Sequence, residues 1–255
     1  MTNGLTTDRM LSILVFVVTI QTIVYNVFVA SGSVNAITPE VISNLYPTVL
    51  TPAGYAFSIW SLIYTGLFAF SIYQLLPRNL SRFRSIRTLY VISGLLNCTW
   101  LFFWHNDQIG ICLIVILALL ATLFLILREV SRDAERGAAI FTKFPFGLYA
   151  GWVTAASLIN FVVFLTYMEV KLGSRTWNLI GVALILFAAG VAAAVRWRLK
   201  NYIFPLSIAW AATAIAIKQS SNTAIIVAAA ICVIICLVLT LSFVMDQKTF
   251  DYENG

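Results

Sequence analysis

The sequence predicts an all-α polytopic membrane protein with about eight transmembrane helices, and three observations support this fold class. Apolar residues make up 61% of the 255-residue chain and charged residues only 10%, whereas a soluble domain carries about 25% charged residues. The apolar runs reach the roughly 20 residues that cross a bilayer as a helix, and they are apolar on all faces, unlike barrel strands. The basic residues alternate from loop to loop between the two sides of the membrane. This composition excludes a nucleic-acid binder, a metal-cluster enzyme and an extracellular disulfide scaffold.

The apolar runs divide the chain into eight candidate spans. They cover residues 10–30, 51–76, 87–104, 110–127, 141–168, 177–197, 202–218 and 223–245. The first is longer than the apolar core of a cleaved signal peptide, about 7–15 residues, so we expect a retained helix. The seventh is short and carries Pro205, which falls in the first turn, where a missing N–H is tolerated.

The basic residues give an independent test of the topology. Of the 16 Lys and Arg residues, only Lys171, Arg175 and Lys218 fall on one side of an eight-span chain, and the other 13 fall on the side of the N-terminus. Since Lys and Arg concentrate in cytoplasmic loops, both termini are expected in the cytoplasm. A lipid-headgroup patch is the alternative, but acidic residues are interleaved with the arginines of the loop at 128–136.

Chemistry-bearing side chains are scarce inside the spans. All ten acidic residues lie at span ends, in loops or in tails, which disfavours an ion-coupled transporter, since such proteins carry intramembrane charges. The sole histidine lies in the sequence His105-Asn106-Asp107, which could hold a metal or pass a proton but is more typical of a polar turn. The four cysteines lie within spans and are expected to act as small hydrophobic residues. An enzyme is therefore the last-ranked class.

Buried amides and tryptophans are the remaining candidates for a site. Asn97 and Asn160 fall within apolar spans, where an amide needs a partner on another helix or on a ligand. Trp60, Trp100, Trp152 and Trp210 also lie within spans. Tryptophan presents a flat apolar face and one N–H donor, which suits a planar hydrophobic ligand such as a porphyrin. Helix packing is the alternative explanation for these tryptophans.

Three segments, taken together and in order, resemble the TspO family of tryptophan-rich sensory proteins, bacterial relatives of the mitochondrial translocator protein. The segment 51–64 is similar to the family's entry to the second helix and contains Trp60-x-x-x-Tyr64. The segment 97–103 contains Asn97-x-x-Trp100 followed by a Phe pair that includes Phe103, and the segment 152–160 has the pattern Trp-Val-x-x-Ala-x-x-x-Asn. The first loop differs, because residues 44–50 contain neither the Trp nor the Lys that the family carries there.

The resemblance implies a five-helix unit over residues 1–168 that encloses a ligand cavity, with three additional helices over 169–255. It implies binding of porphyrins or other tetrapyrroles, sterols or isoprenoid lipids, in a sensory, regulatory or transport role. Trp60 and Trp152 are expected to hold the ligand between them. The other expected ligand-binding residues are Tyr64, Asn97, Trp100, Phe103, Ala156 and Asn160. No obligate cofactor or catalytic residue is implied, although a bound porphyrin, carotenoid or lipid is compatible with the site.

Partners and location are expected from the same features. The chain should lie in a lipid bilayer as a multi-pass protein of a bacterial inner membrane or a thylakoid. The motif Gly147-x-x-x-Gly151 allows close helix contact, either in a homodimer or within one chain. A function of a different class also remains, that of an accessory subunit in a larger and possibly pigment-containing membrane complex, because the last three helices are additional.

Overall fold

Helices form wherever the sequence is apolar over many consecutive residues. The computed structural model describes residues 2–33, 38–132 and 139–243, and these contain helices and connecting turns without a β-strand. The helices are α1 (Thr2–Ala30), α2 (Pro39–Leu45), α3 (Ile59–Tyr73), α4 (Arg84–His105), α5 (Ile109–Ser131), α6 (Lys143–Tyr167), α7 (Ser174–Arg198), α8 (Phe204–Lys218) and α9 (Thr223–Leu241). Short 3₁₀ turns at Gly54–Ser58 and Pro77–Asn79 precede α3 and α4. The predicted all-helical fold is confirmed.

Each of the eight predicted spans corresponds to one apolar helix. Seven of the helical segments in the described ranges are long and apolar enough to cross a membrane, counting Gly54–Tyr73 as one. The exception is α8, whose 15 residues span about 22 Å, less than the hydrocarbon core of about 30 Å. Pro205 lies in its first turn, as predicted. The seven-residue helix α2, which lies in the connection between the first two spans, was not predicted, because seven residues give no periodic signal.

Helix α6 occupies the centre of the molecule. It packs against α3 and α5 on one side and against α8 on the other, and α8 in turn packs against α7 and α9. Residues on every face of α6 are buried, whereas large apolar side chains of α1, α5, α7 and α9 point outward. Those outward faces fit the predicted lipid environment, since lipid tails favour apolar surface. The division into units 1–168 and 169–255 stays a prediction.

The small residues at the start of α6 are used inside the chain. A Cβ atom added to Gly147 would lie 2.5 Å from Oδ1 of Asn201, and one added to Gly151 would lie 2.6 Å from the carbonyl oxygen of Phe204. Ser207 on α8 donates a hydrogen bond of 2.9 Å to the carbonyl oxygen of Leu148. The glycines therefore let α8 approach the backbone of α6 directly. Of the two interpretations of this motif, the structure supports packing within one chain.

A buried polar cluster closes the end of the bundle that carries most of the basic residues. The guanidinium of Arg87 is fully buried and donates to the side-chain oxygen of Gln74 at 2.9 Å and to the carbonyl oxygen of Asn79 at 3.2 Å. Arg84 donates from Nε to the carboxylate of Asp8 at 2.8 Å. Arg87 therefore binds the carbonyl oxygens of the connection between α3 and α4, a structural role that its placement near a loop did not reveal.

Candidate functional site

Aromatic side chains of α3 and α4 form one continuous wall. Trp60 and Tyr64 are four residues apart, so they lie on one face of α3, and their rings stack at a centroid distance of 5.3 Å. Trp100 on α4 lies 6.4 Å from Trp60 at an angle of 33°. Trp100 also stacks on Trp104, one turn further along α4, at 6.0 Å. Four aromatic side chains of α3 and α4 thus form a single layer.

A cavity of about 260 Å³ lies in front of this wall. Helices α1, α3 and α4 form its sides, and the start of α2 covers it. The residues that line it are Asn26, Val27, Ala30, Thr38, Pro39, Glu40, Phe57, Trp60, Ser61, Tyr64, Trp100 and Leu101. Its size is just below the range of about 300–1,000 Å³ that is usual for ligand pockets. Three of the predicted residues, Trp60, Tyr64 and Trp100, are among the lining residues.

Buried polar groups lie at and next to the cavity, at the side formed by Asn26 and Tyr64. Asn97 is not among the lining residues, and its ligand-binding role stays a prediction. Asn26 of α1 donates from Nδ2 to Oδ1 of Asn97 at 2.8 Å. The hydroxyl of Tyr64 and Nδ2 of Asn97 are buried and have no hydrogen-bond partner among the residues that the structure describes. The hydroxyls of Tyr64 and Tyr149 both lie near the Asn97 amide. Buried donors without a partner carry a free-energy cost, so a ligand with an acceptor atom would be bound favourably here.

Trp152 lies behind the wall rather than in the cavity. Its ring meets the ring of Trp60 edge-on, at 6.3 Å and 84°, and it is not among the residues that line the cavity. The two indoles touch, so no space for a ligand lies between them. The two rings are in edge-to-face contact in this structure, and a ligand-binding role for Trp152 stays a prediction.

Asn160, Ala156 and Phe103 also lie outside the cavity lining. Asn160 accepts a hydrogen bond of 3.3 Å from Nε1 of Trp100 and donates one of 2.9 Å to the carbonyl oxygen of Ala156. This amide therefore holds the orientation of the Trp100 indole that faces the cavity. Phe103 is half-buried, and its ring contacts that of Phe102 at 5.4 Å. A ligand-binding role for these three residues stays a prediction.

Asn26 and α2 are the parts of the site that sequence reasoning missed. Asn26 lies in the apolar helix α1, where an isolated amide is a signal for a polar partner across helices. Thr38 is the N-cap residue of α2, and its Oγ1 accepts a hydrogen bond from the backbone N–H of Val41 at 3.4 Å. The indole of Trp104 donates to the carbonyl oxygen of Pro39 at 3.3 Å, which holds the first turn of α2 over the cavity. The Glu40 carboxylate lies so close to Gly54 that a Cβ atom there would overlap it.

The far end of α2 is held by a second contact. The hydroxyl of Tyr46 donates a hydrogen bond to Oδ1 of Asp107, in the turn between α4 and α5. Partial burial of the ring, and then this hydrogen bond, raise the pKa of Tyr46 to about 12. Asp107 has a φ of 57°, in the left-handed region, which Asp tolerates better than most residues. Asn106 and Asp107 thus form the expected polar turn, whereas His105 is the buried last residue of α4 and its Nδ1 lies 2.9 Å from the carbonyl oxygen of Leu101.

The last three helices hold the segment that leads into α3. The indole of Trp210 on α8 donates to the carbonyl oxygen of Ala56 at 3.0 Å, and the N–H of Ala53 donates to the carbonyl oxygen of Ala214 at 2.9 Å. Gln219 donates from Nε2 to the carbonyl oxygens of Thr48 and Thr51, at 2.9 and 3.2 Å. Residues 48–56 precede Phe57 and Trp60 directly. Helix α8 therefore fixes the position from which the cavity wall begins.

These features define a class of protein: a polytopic helical membrane protein whose bundle encloses a small aromatic cavity with buried polar groups at one side. Within the described residues, no group of three His, Cys, Asp or Glu side chains is placed to hold a metal ion.

The family model described as TSPO-like protein matches residues 12–243. Because the match covers most of the sequence, the chain belongs to this family, and the resemblance noted from the three segments is confirmed. The matched region includes α6 to α9 as well as the helices that carry the cavity. A comparison with curated proteins found no match, and a comparison with solved structures found none either.

Proposed function

We propose that the protein binds a planar hydrophobic ligand with a hydrogen-bond acceptor, of the tetrapyrrole, sterol or isoprenoid class, in a sensory, regulatory or transport role. The observation that carries the proposal is the cavity of about 260 Å³, whose lining includes Tyr64, a residue with a buried hydroxyl that has no hydrogen-bond partner among the described residues. Family membership supports a membrane-embedded ligand-binding protein in general terms.

The walls suit a flat ligand. The indole of Trp60 lines the cavity while its other neighbours, Tyr149 and Trp152, meet it edge-on at 5.8 and 6.3 Å. Edge-on packing fixes the plane of the indole, so its orientation is set before a ligand arrives. Because the indole is already fixed, its side chain loses little conformational entropy when a ligand stacks on it. The hydroxyl of Tyr64 would then orient the ligand by one polar edge.

A binding titration tests the proposal. Protoporphyrin IX is added to the full chain in nanodiscs, and the shift of the porphyrin absorption band gives the dissociation constant. Trp60→Leu removes the flat face and should weaken binding at least five-fold, since the stacking of a flat ring on an aromatic side chain contributes about 1–3 kcal/mol. Trp197→Leu is the matched control, because that side chain is 63% exposed on α7 and does not line the cavity.

A second variant tests the hydroxyl of Tyr64. Tyr64→Phe removes only the hydroxyl and keeps the ring, so it should weaken binding about five-fold, as expected for one hydrogen bond of about 1 kcal/mol. Tyr90→Phe is its control, because the Tyr90 hydroxyl already bonds to Oγ1 of Thr19 and does not line the cavity. Dissociation constants that are equal in the wild type, Trp60→Leu and Tyr64→Phe would refute this placement. A sterol that displaces the porphyrin would shift the ligand class.

The alternative of an accessory subunit has less support. Its main motive was the set of additional helices, but α8 uses Trp210 and Gln219 to hold residues 48–56 of the same chain. Purification in a gentle detergent distinguishes the two functions. Stoichiometric co-purifying membrane proteins would favour the accessory subunit, and a free monomer or homodimer would favour the ligand-binding protein.

A further inference from the structure

A second and larger open groove lies at the end of the bundle that is poor in basic residues. It has a volume of about 780 Å³, about three times that of the aromatic cavity. Its walls come from residues 47–51, from the end of α6 and the start of α7, and from the end of α8. Nine of its 13 lining residues carry polar or charged side chains, among them Thr48, Lys171, Ser174, Lys218 and Gln219.

The positive charge of this end of the molecule is gathered at the groove. Only three basic residues, Lys171, Arg175 and Lys218, lie on this side in the eight-span topology. Lys171 and Lys218 line the groove, and Arg175 follows the lining residue Ser174. None of the three forms an ion pair with an acidic residue in the part of the chain that the structure describes. Glu169 is the one acidic residue in the lining, so the three basic residues outnumber it.

The start of α7 adds to this positive field. Its cap residue, Gly173, offers no side chain to the first N–H groups, and its first turn contains no acidic residue. A helix N-terminus carries a partial positive charge that usually attracts Asp or Glu. Here Arg175 lies in the first turn, so the positive charge at this helix end is not offset by an acidic residue of that turn.

The groove also has an apolar part. Val49, Val170 and Trp177 line it together with the lysines, and Trp is typical of the membrane–water interface. Lysine is a common phosphate ligand that acts as a point charge. We propose that this groove binds a phosphate-bearing anion, supplied either by the headgroup of an anionic phospholipid or by a free phosphate ester. This inference is independent of the ligand proposed for the aromatic cavity.

Lipid retention tests the proposal. The full chain is purified from nanodiscs that contain phosphatidylcholine with phosphatidylglycerol, and native mass spectrometry measures the phosphatidylglycerol that stays bound. The test variant is Lys171→Gln with Lys218→Gln. The matched control is Arg198→Gln with Lys200→Gln, which removes the same charge from exposed side chains at the opposite end. Each lysine near an anionic lipid contributes about five-fold in affinity, so the test variant should lose about 30-fold.

The outcomes separate the two sources of phosphate. Lysine-dependent retention of phosphatidylglycerol that glycerol phosphate does not displace supports a lipid headgroup. Lysine-dependent binding of glycerol phosphate from solution supports a free ester in the same groove. Equal retention by the wild type, the test variant and the control overturns the proposal. Both lysines are exposed, and the two single variants, checked by their melting temperatures, keep the test valid if the double variant folds poorly.

Discussion

The contact between α6 and α8 predicts that replacing glycine with alanine has opposite effects on the stability of the fold at positions 151 and 190. In Gly151→Ala, the new Cβ atom would lie 2.6 Å from the carbonyl oxygen of Phe204 and 2.8 Å from Cβ of Ser207. Ordinary contact begins at 3.4 Å, so the helices must separate by about 0.8 Å. In Gly190→Ala, the new Cβ atom meets nothing within 4 Å.

The expected magnitudes follow from these distances. Overpacking of this kind costs about 1–3 kcal/mol, and the obstructing atom is a backbone oxygen that cannot rotate away. Separation also strains the hydrogen bond from Ser207 to Leu148. Gly190→Ala instead gains about 0.5–1 kcal/mol, because alanine loses less backbone entropy than glycine in a helix. The free energy of unfolding of Gly151→Ala should therefore fall, and that of Gly190→Ala should rise.

Equilibrium unfolding in mixed micelles measures both changes, and light scattering gives the oligomeric state of each variant. A rise in stability for Gly151→Ala equal to that for Gly190→Ala would refute the packing of α8 on α6. A change in the oligomeric state of Gly151→Ala without a change in monomer stability would show that the motif serves a homodimer instead.

Three further predictions concern the cavity and its surroundings. Asn26→Leu leaves Oδ1 of Asn97 without its donor and should destabilise the fold, whereas Asn26→Leu with Asn97→Leu should cost less than the sum of the single variants, by about 1 kcal/mol in equilibrium unfolding. Gln219→Leu should speed amide hydrogen exchange in residues 48–56, since two carbonyl oxygens lose their donor; an unchanged exchange rate would contradict the anchoring role. The pKa of Tyr46 is raised from 10 to about 12, so the contribution of the phenol to stability is complete below pH 10 and is lost as the pH rises to about 12. The melting temperature of Tyr46→Phe should therefore fall less than that of the wild type between these two pH values.

Much of the fold follows from the sequence because the bilayer is a demanding solvent. A spanning segment must be apolar over roughly 20 residues and must satisfy its own backbone hydrogen bonds, so the eight helices can be placed from composition alone. The spacing of Trp60 and Tyr64 predicts that they share one face of a helix, and the resemblance to the TspO family implies that Trp100 belongs to the same site. All three residues line the cavity.

The sequence does not determine which helix packs against which face of another helix, because a helix that is apolar on all sides has no face that is marked for burial. Trp60 and Trp152 carry the same chemistry, yet the path of α6 puts only Trp60 on the cavity. Gly147 and Gly151 fit a dimer or an internal contact equally well until α8 is seen against them. The sequence by itself therefore determined the type and location of the eight helices in the apolar spans, since solvent and backbone set those locally. Only the tertiary structure decided which faces meet, because that depends on the packing of side chains distant in the chain.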